Sequence, residues 1–422
     1  MPRSDVDVVV VGGGAAGIAA ARRLHEAKID CLIVEARARL GGRAWTVIDA
    51  SGFALDLGCG WLHSADRNPW VKIAQEQSAE IDKSRPPWAR PSPDIGFSRA
   101  EQQEFQDAMD SFFARLERVA ESDDDVAAAA FLEPGCRWNG LINALSTYIS
   151  GAEWDRVSAK DFDRYRDTGV NWRVVRGYGA LISACGANLP VMLDCAVRGI
   201  DHRDKRLRIE TAKGAIAADQ AIVTVPSALL AAERLLFTPA LWEKTEAALG
   251  LPLGLADKLF LSLEGAEEFD NDVRLFGHTD RAATAAYQFR PLGRPMIEAY
   301  FGGRFAAELE AGGDGAFFDC AVSDLVGLLG SAFAARIKPI GLHRWGVDPF
   351  SLGSYSFALP GFADGRQKLA EPVDDRLFFA GEACSVNDFS TAHGGWHTGV
   401  RAAEEVIAAR GRDRPRPAGL QT

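Results

Sequence analysis

The chain opens with an apolar run, VDVVVV at residues 6–11, that breaks at once into GGGAAGIAAARRLHEA. A short continuous apolar run ending in glycines predicts a buried strand and a tight turn, and the helically spaced apolar residues after it predict an amphipathic helix. CLIVEA, residues 31–36, resumes strand character, so the opening segment reads as a βαβ unit. The pattern then loosens. RPPWARPSP, residues 85–93, is a proline-rich break. Residues 99–150 show helical periodicity interrupted by the acidic run ESDDD, and a boundary is expected near residue 80.

From residue 191 the pattern becomes short strands around polar turns. VMLDCAVRGIDHRDKRLRIETAKGAIAADQAIVTVP reads as a β-meander, and its Val-Thr-Val-Pro ending predicts a strand closing at a sheet edge, because proline cannot donate to a ladder. KLFLSLE, RPMIEAYFGG and IGLHRWG predict further strands, with a helix near AFFDCAVSDLVGLLGSAFAA between the last two. RLFFAGEA is one more strand and WHTGVRAAEEVIAARG a final helix. The tail RDRPRPAGLQT is expected to be disordered. No internal repeat is present.

Composition narrows the function classes. The chain has 422 residues, 47% hydrophobic and 25% charged, which is ordinary for a globular protein with more than one domain. A formal charge of −11 opposes nucleic acid and anionic membranes and mildly favours cationic ligands. Seven scattered cysteines, with no CxxC pair, suggest neither a disulfide framework nor a zinc ribbon. A soluble protein of the reducing cytosol is expected. Acidic residues and a glycine triplet near the N-terminus argue against a secretory leader, and no apolar stretch reaches the ~18 residues a membrane span requires.

The chemistry begins at the glycines. Gly12, Gly14 and Gly17 satisfy G-x-G-x-x-G between strand and helix, where exposed N–H groups and the helix dipole suit a pyrophosphate. Glu35 ends the next strand, about 20 residues on, where an acid accepts hydrogen bonds from a ribose diol. These features do not separate NAD from FAD. RLGGRAWT, residues 39–46, favours FAD by placing Arg43 in a second glycine turn, able to meet the pyrophosphate or the flavin edge.

Together these segments resemble the flavin-dependent amine oxidase superfamily, which includes monoamine oxidases, polyamine oxidases, L-amino-acid oxidases and demethylases. LDLGCGWLHS, residues 55–64, is similar to the polyamine oxidase segment beside the flavin. ADKLFLSL looks like the strand whose lysine faces flavin N5, and RLFFAGEA with HGGWHTG looks like the closing FAD motif. Residues 85–170 match poorly.

The resemblance implies an α/β fold. An FAD-binding, Rossmann-type domain would be assembled around a parallel sheet from residues 1–80, 170–245 and 355–412. A discontinuous sheet-plus-helix substrate domain would come from 81–169 and 246–354. The resemblance further implies that Val197 meets adenine through its backbone, that Gly381 and Glu382 in FAGE contact the cofactor with Glu382 at the ribityl chain, and that His397 belongs to the same closing motif. Trp396 and Tyr355 would be two aromatic walls over the flavin, forming a slot that desolvates an amine and lowers its pKa. Lys258 would hold a water against N5, and His63 would line the substrate entrance. Ser354 stands where covalently flavinylated relatives carry cysteine, so noncovalent FAD is expected.

The implied reaction passes a hydride from the amine's α-carbon to flavin N5. The imine then hydrolyses, and dioxygen reoxidises the flavin to give hydrogen peroxide. Trp61, His63 and the acidic balance lean toward a polyamine or an arylalkylamine. Two alternatives stand beside this: a flavin-dependent desaturase of carbon–carbon bonds, and a noncatalytic FAD-bound partner protein. Zinc at His393 and His397 is disfavoured, because the intervening glycines oppose a helix and no third ligand has a recognisable spacing. No HExxH, GxSxG or GxxxxGK[ST] motif occurs.

Overall fold

Val8, Val9 and Val10 have no exposure, and a strand buried on both faces needs partners on both edges. A computed structural model, which describes residues 4–118 and 124–413, supplies them. Asp5–Val11 pairs in parallel with Cys31–Val34 on one side and with Gly214–Val223 on the other. They belong to an eight-stranded sheet whose order runs Leu236–Thr238, Val197–Asp201, Leu207–Thr211, Gly214–Val223, Asp5–Val11, Cys31–Val34, Val191–Met192. Leu377–Phe379 adds to Gly214–Val223 in parallel. The sheet is mixed rather than wholly parallel, because 197–223 folds as an antiparallel meander against its flank.

The strand before Val-Thr-Val-Pro is not at an edge. Gly214–Val223 is paired along one side to Asp5–Val11, and along the other first to Leu207–Thr211 and then to Leu377–Phe379. Pro226 lies beyond the last ladder pair, so its missing N–H costs the sheet nothing. Thr224 instead ties the strand ends together, donating from its N–H to Val11 O at 2.9 Å and from Oγ1 to the same oxygen at 2.8 Å.

The helix predicted after the glycine turn is Ala15–Glu26, and it packs on the closing helix, Ala392–Asp413. That helix begins before Trp396 and runs through Gly394 and Gly395, contrary to the expectation that these glycines oppose it. A glycine inside a helix costs about 1 kcal/mol relative to alanine. Close approach explains its presence: a Cβ on Gly399 would lie 2.1 Å from Ala16 O, and one on Gly394 would lie 1.9 Å from Asp388 O. The expected disordered tail from residue 414 falls outside the described residues, as do residues 121–123 of the acidic run.

A second sheet has five strands in the order Val273–Phe276, Ala286–Phe289, Met296–Gly302, Ala256–Leu263, Ile337–His343. Its alternation is two-sided. Leu259, Leu261, Ile297, Ala299, Phe301, Tyr287 and Phe289 bury one face against Phe317, Ala321 and Leu325 of the helix Asp314–Leu329. The opposite face carries Lys258, Phe260, Glu298, Tyr300, Gln288 and Arg274, as the cross-strand register dictates.

Residues 99–150, matched poorly by the resemblance, form helices Arg99–Leu116 and Asn139–Ile149 around Phe105, Phe112, Trp138 and Trp154. Ser98 caps the first through a reciprocal box with Glu101.

Candidate active site

The glycine turn fits a dinucleotide. A Cβ on Gly17 would sit 1.9 Å from Gly12 O, so only glycine lets helix and strand approach this closely. Gly12 holds φ at +105°, a region that favours glycine. Gly14 caps the helix and its first turn contains no acid, so no capping side chain or carboxylate of that turn takes up the terminal N–H groups. The nearest atoms to a Cβ on Gly14 lie 3.9 Å away or more, and those to one on Gly395 lie 3.6 Å away or more. Glu35 is buried beside this turn and accepts from Gly13 N at 2.6 Å and Arg37 N at 2.8 Å. Cys195 N donates to Glu35 O at 2.9 Å, which brings the segment leading to Val197 alongside.

Arg43 and Glu382 join the distant pieces. Arg43 Nη1 donates to Glu382 Oε1 at 2.9 Å and to Ser354 O at 2.8 Å. Glu382 also accepts from Ser356 N and, at 2.6 Å, from Ser356 Oγ, while its own N lies 3.9 Å from a Cβ placed on Gly395. Burial would raise the Glu382 carboxyl, but the Arg43 charge and these donors hold it below its ordinary value. Gly381 N donates to Thr398 Oγ1 at 3.0 Å, fixing the FAGE strand end to the closing helix. The residues on either side of Tyr355 therefore meet at one ion pair, and the residue before Trp396 lies against the backbone of Glu382.

Tyr355 is fully engaged. Its OH donates to Tyr148 O at 2.6 Å and lies 3.1 Å from Tyr300 OH. Burial pushes its phenol well up, so it stays neutral. Trp396 is held from the other side, edge-on to Trp70 at 4.8 Å, with Trp70 Nε1 donating to Ala392 O. Ser354 Oγ is spent on the backbone of Ala256, donating to its O and accepting from its N, both at 2.9 Å.

Lys258 is buried. Its Nζ donates to Asp56 O at 3.1 Å and pairs with Glu298 Oε1 at 3.1 Å. Desolvation alone would depress the ammonium, but Glu298, Tyr300 and Asp56 outweigh it and raise its pKa, so Lys258 is charged at neutral pH. Beside it lies a cavity of about 40 Å³, lined among others by Asp56, Gly60, Trp61 and Glu298.

His63 Nδ1 pairs with Asn171 Oδ1 at 2.6 Å, and burial lowers its pKa, with Asn171 opposing. The nearby Trp61 and Trp88 rings meet at 4.4 Å. His397 turns outward, its side chain 46% exposed and its Nδ1 3.2 Å from Asp388 Oδ2. His393 reaches the same aspartate at 3.5 Å. Among the described residues no group of three or more His, Cys, Asp or Glu side chains gathers as a metal set.

Sequence reasoning missed Glu298, Tyr300 and Arg366. The alternation in MIEAYFG puts Glu298 and Tyr300 on one face, but only the register with ADKLFLSL shows that this face is Lys258's. Arg366 has no such signal: it is fully buried in a two-bond pair with Asp161, and Nη1 donates to Ser356 Oγ at 2.8 Å, bracing Glu382's partner.

The family model for flavin containing amine oxidoreductases matches residues 15–146 and 99–407. Among curated proteins, Polyamine oxidase 3 of Oryza sativa subsp. japonica is 32% identical, over 94% of this chain and 88% of its own length. Polyamine oxidase 2 of Arabidopsis thaliana is 30% identical, over 94% and 87%. Among solved structures, putrescine oxidase bound to putrescine superposes with a TM-score of 0.77 at 17% identity, covering 96% of this chain and all of that one; it supports the fold alone. No described helix is long and apolar enough to cross a membrane. The chain belongs to the flavin-containing amine oxidoreductases and is an FAD-dependent amine oxidase.

Proposed function

We propose that the chain oxidises an amine held between Tyr355 and Trp396, using FAD bound without a covalent link. The observation that carries this reading is the Arg43–Glu382 pair, which joins the second glycine turn to Ser354 and Ser356, with Gly395 against the Glu382 backbone. Gly12, Gly14, Gly17, Glu35, Val197, Arg43, Gly381 and Glu382 would hold the cofactor, with His397 at its closing motif. Bound FAD would supply the redox chemistry, as hydride acceptor for the amine's α-carbon and as donor of two electrons to dioxygen to give hydrogen peroxide.

The protein's own groups supply dryness, orientation and one held proton. Tyr355, with both hydroxyl contacts taken, is a rigid neutral wall rather than a base. Two aromatic walls desolvate the ammonium and lower its pKa, which favours the neutral nitrogen that oxidation requires. An ammonium has three N–H donors. Lys258 uses two, on Asp56 O and Glu298, and the third is available to a water in the adjoining cavity, which exceeds the roughly 10–15 Å³ one water needs. Trp61, Trp88 and neutral His63 line the entrance. Ser354 offers no sulfur for a thioether, and its hydroxyl already pins Ala256.

Of the two substrate classes read from the sequence, the arylalkylamine has the better physical support. Glu298 is paired with Lys258, Asp82 and Asp272 share Arg173, and Asp56 is taken by Thr46 and the N–H groups of Tyr178 and Gly179. No carboxylate in this set is left for a second cationic nitrogen. The polyamine reading is favoured by the names of the relatives. Anaerobic stopped-flow mixing with both amine classes tests the proposal: loss of flavin absorbance, followed by peroxide on admitting air, is expected with arylalkylamines. A flavin that no amine bleaches, or one that stays with acid-precipitated protein, would overturn it.

A further inference from the structure

On the sheet face that carries Lys258, one cation has no anion. Arg274 is half-buried, and its Nε is enclosed without a hydrogen-bond partner. Its guanidinium makes no ion pair or hydrogen bond among the described residues and lies 4.7 Å over the Phe276 ring. Desolvation lowers its pKa to about 10, and among the described residues Tyr148 is the group acting against that loss. An enclosed charge without a counter-ion is costly, and an arginine fork is the side chain best shaped to take a carboxylate in two bonds.

The placement connects Arg274 to the site. Arg274 is registered with Gln288, Gln288 with Glu298, and Glu298 with Phe260, so all four project from one face. The adjacent row is Phe276, Ala286, Tyr300 and Lys258. Tyr148, within electrostatic reach of Arg274, meets the Tyr300 ring at 5.7 Å and accepts the Tyr355 hydroxyl proton through its backbone oxygen. The guanidinium thus lies on the Tyr148 side of the Tyr148–Tyr300–Tyr355 group, at the end away from Lys258. Its strand is three spacings from that of Lys258, about 14 Å between backbones.

We propose that Arg274 receives a carboxylate on the far end of the substrate, so that the molecule oxidised is an amine with an anionic group several bonds from the reacting carbon. This rests on the reading that the amine end lies between Tyr355 and Trp396. It also accords with Glu298 on this face, and Asp56, Asp82 and Asp272 around it, being already paired: the subsite selects against a second positive charge and for a negative one.

A matched set of probes tests this on the FAD-loaded enzyme: phenethylamine, 4-(2-aminoethyl)benzoate and 4-(aminomethyl)phenethylamine, with a neutral, anionic and cationic far end. Apparent affinity comes from the concentration dependence of anaerobic flavin reduction. The benzoate is expected to bind at least about tenfold tighter than phenethylamine, and the diamine weakest. In Arg274→Met the ratio between benzoate and phenethylamine should fall to about one, while Arg274→Lys keeps part of it. The diamine binding tightest, or a ratio unmoved in Arg274→Met, overturns the proposal. Calorimetric binding of 4-ethylbenzoate, which has no amine, separates the two readings. If no amine reduces the flavin yet this anion binds wild type and not Arg274→Met, the subsite stands and the amine assignment falls. If the anion fails to bind wild type, the subsite falls.

Discussion

The two sheets place their chemistry differently. In the eight-stranded sheet the groups proposed to hold the cofactor sit at strand ends, as backbone N–H groups at the Gly12–Gly17 turn, with Glu35 and Gly381 each just beyond a strand. In the five-stranded sheet the groups proposed to meet the substrate side sit on a face, as the side chains of Lys258, Glu298, Tyr300 and Arg274. A strand end is specified by a few consecutive residues, because a tight turn demands glycine wherever it occurs. A face is specified by how several strands are registered, and a slip of one residue would turn every one of these side chains into the opposite core.

Gly17→Ala is the change expected to do most damage, on the strand-end side. The added Cβ meets Gly12 O at 1.9 Å, both partners are backbone, and helix and strand must separate. Overpacking of this kind costs about 3 kcal/mol, and FAD should be lost on gel filtration. A variant that retains FAD and melts like wild type would show that the turn is less constrained than its geometry implies.

Lys258→Met probes the face. Flavin reoxidation should slow by about 10²-fold, equivalent to about 2.7 kcal/mol, with the anaerobic reduction rate changing far less. Stopped-flow mixing of the reduced enzyme with oxygenated buffer reads this directly. Equal losses in both half-reactions would assign Lys258 a structural role.

Glu382→Gln gives a smaller effect, about 2 kcal/mol at neutral pH, from losing charge-assisted bonds to Arg43 and Ser356. Its pH dependence sharpens the comparison. The folded carboxyl lies below its ordinary 4.5, so its contribution is present above that pH and is lost as pH falls through the lower folded value. The gap between wild type and Glu382→Gln in denaturant midpoint should therefore narrow on acidification below about pH 4.5. A gap that widens there would contradict a stabilised carboxylate.

The parts of the proposed site legible in the sequence were those carried by short continuous motifs. GGGAAG, the acid that follows it, GGR and FAGE lie in the structure at strand ends or turns. Two inferences from single residues failed for one reason. Proline was read as marking a sheet edge after Val223, and glycine as opposing a helix at 394–395, but both act locally. Pro226 stands three residues past the end of the strand, and tertiary contacts around Ala16 and Asp388 outweigh the helix cost of the glycines. Arg366 and Asp161 lie 205 residues apart, and no pattern in either segment announces the pair.

By itself, then, the sequence determined the turn geometry, the alternation of each strand and the absence of sulfur at Ser354, because these depend on what a residue can do with its immediate neighbours. Tertiary structure decided which alternating faces would meet, joining Lys258 to Glu298 and Arg43 to Glu382 while leaving Arg274 without a counter-ion among the described residues. Charges act through space, and their partners are settled only once the strands have taken their register.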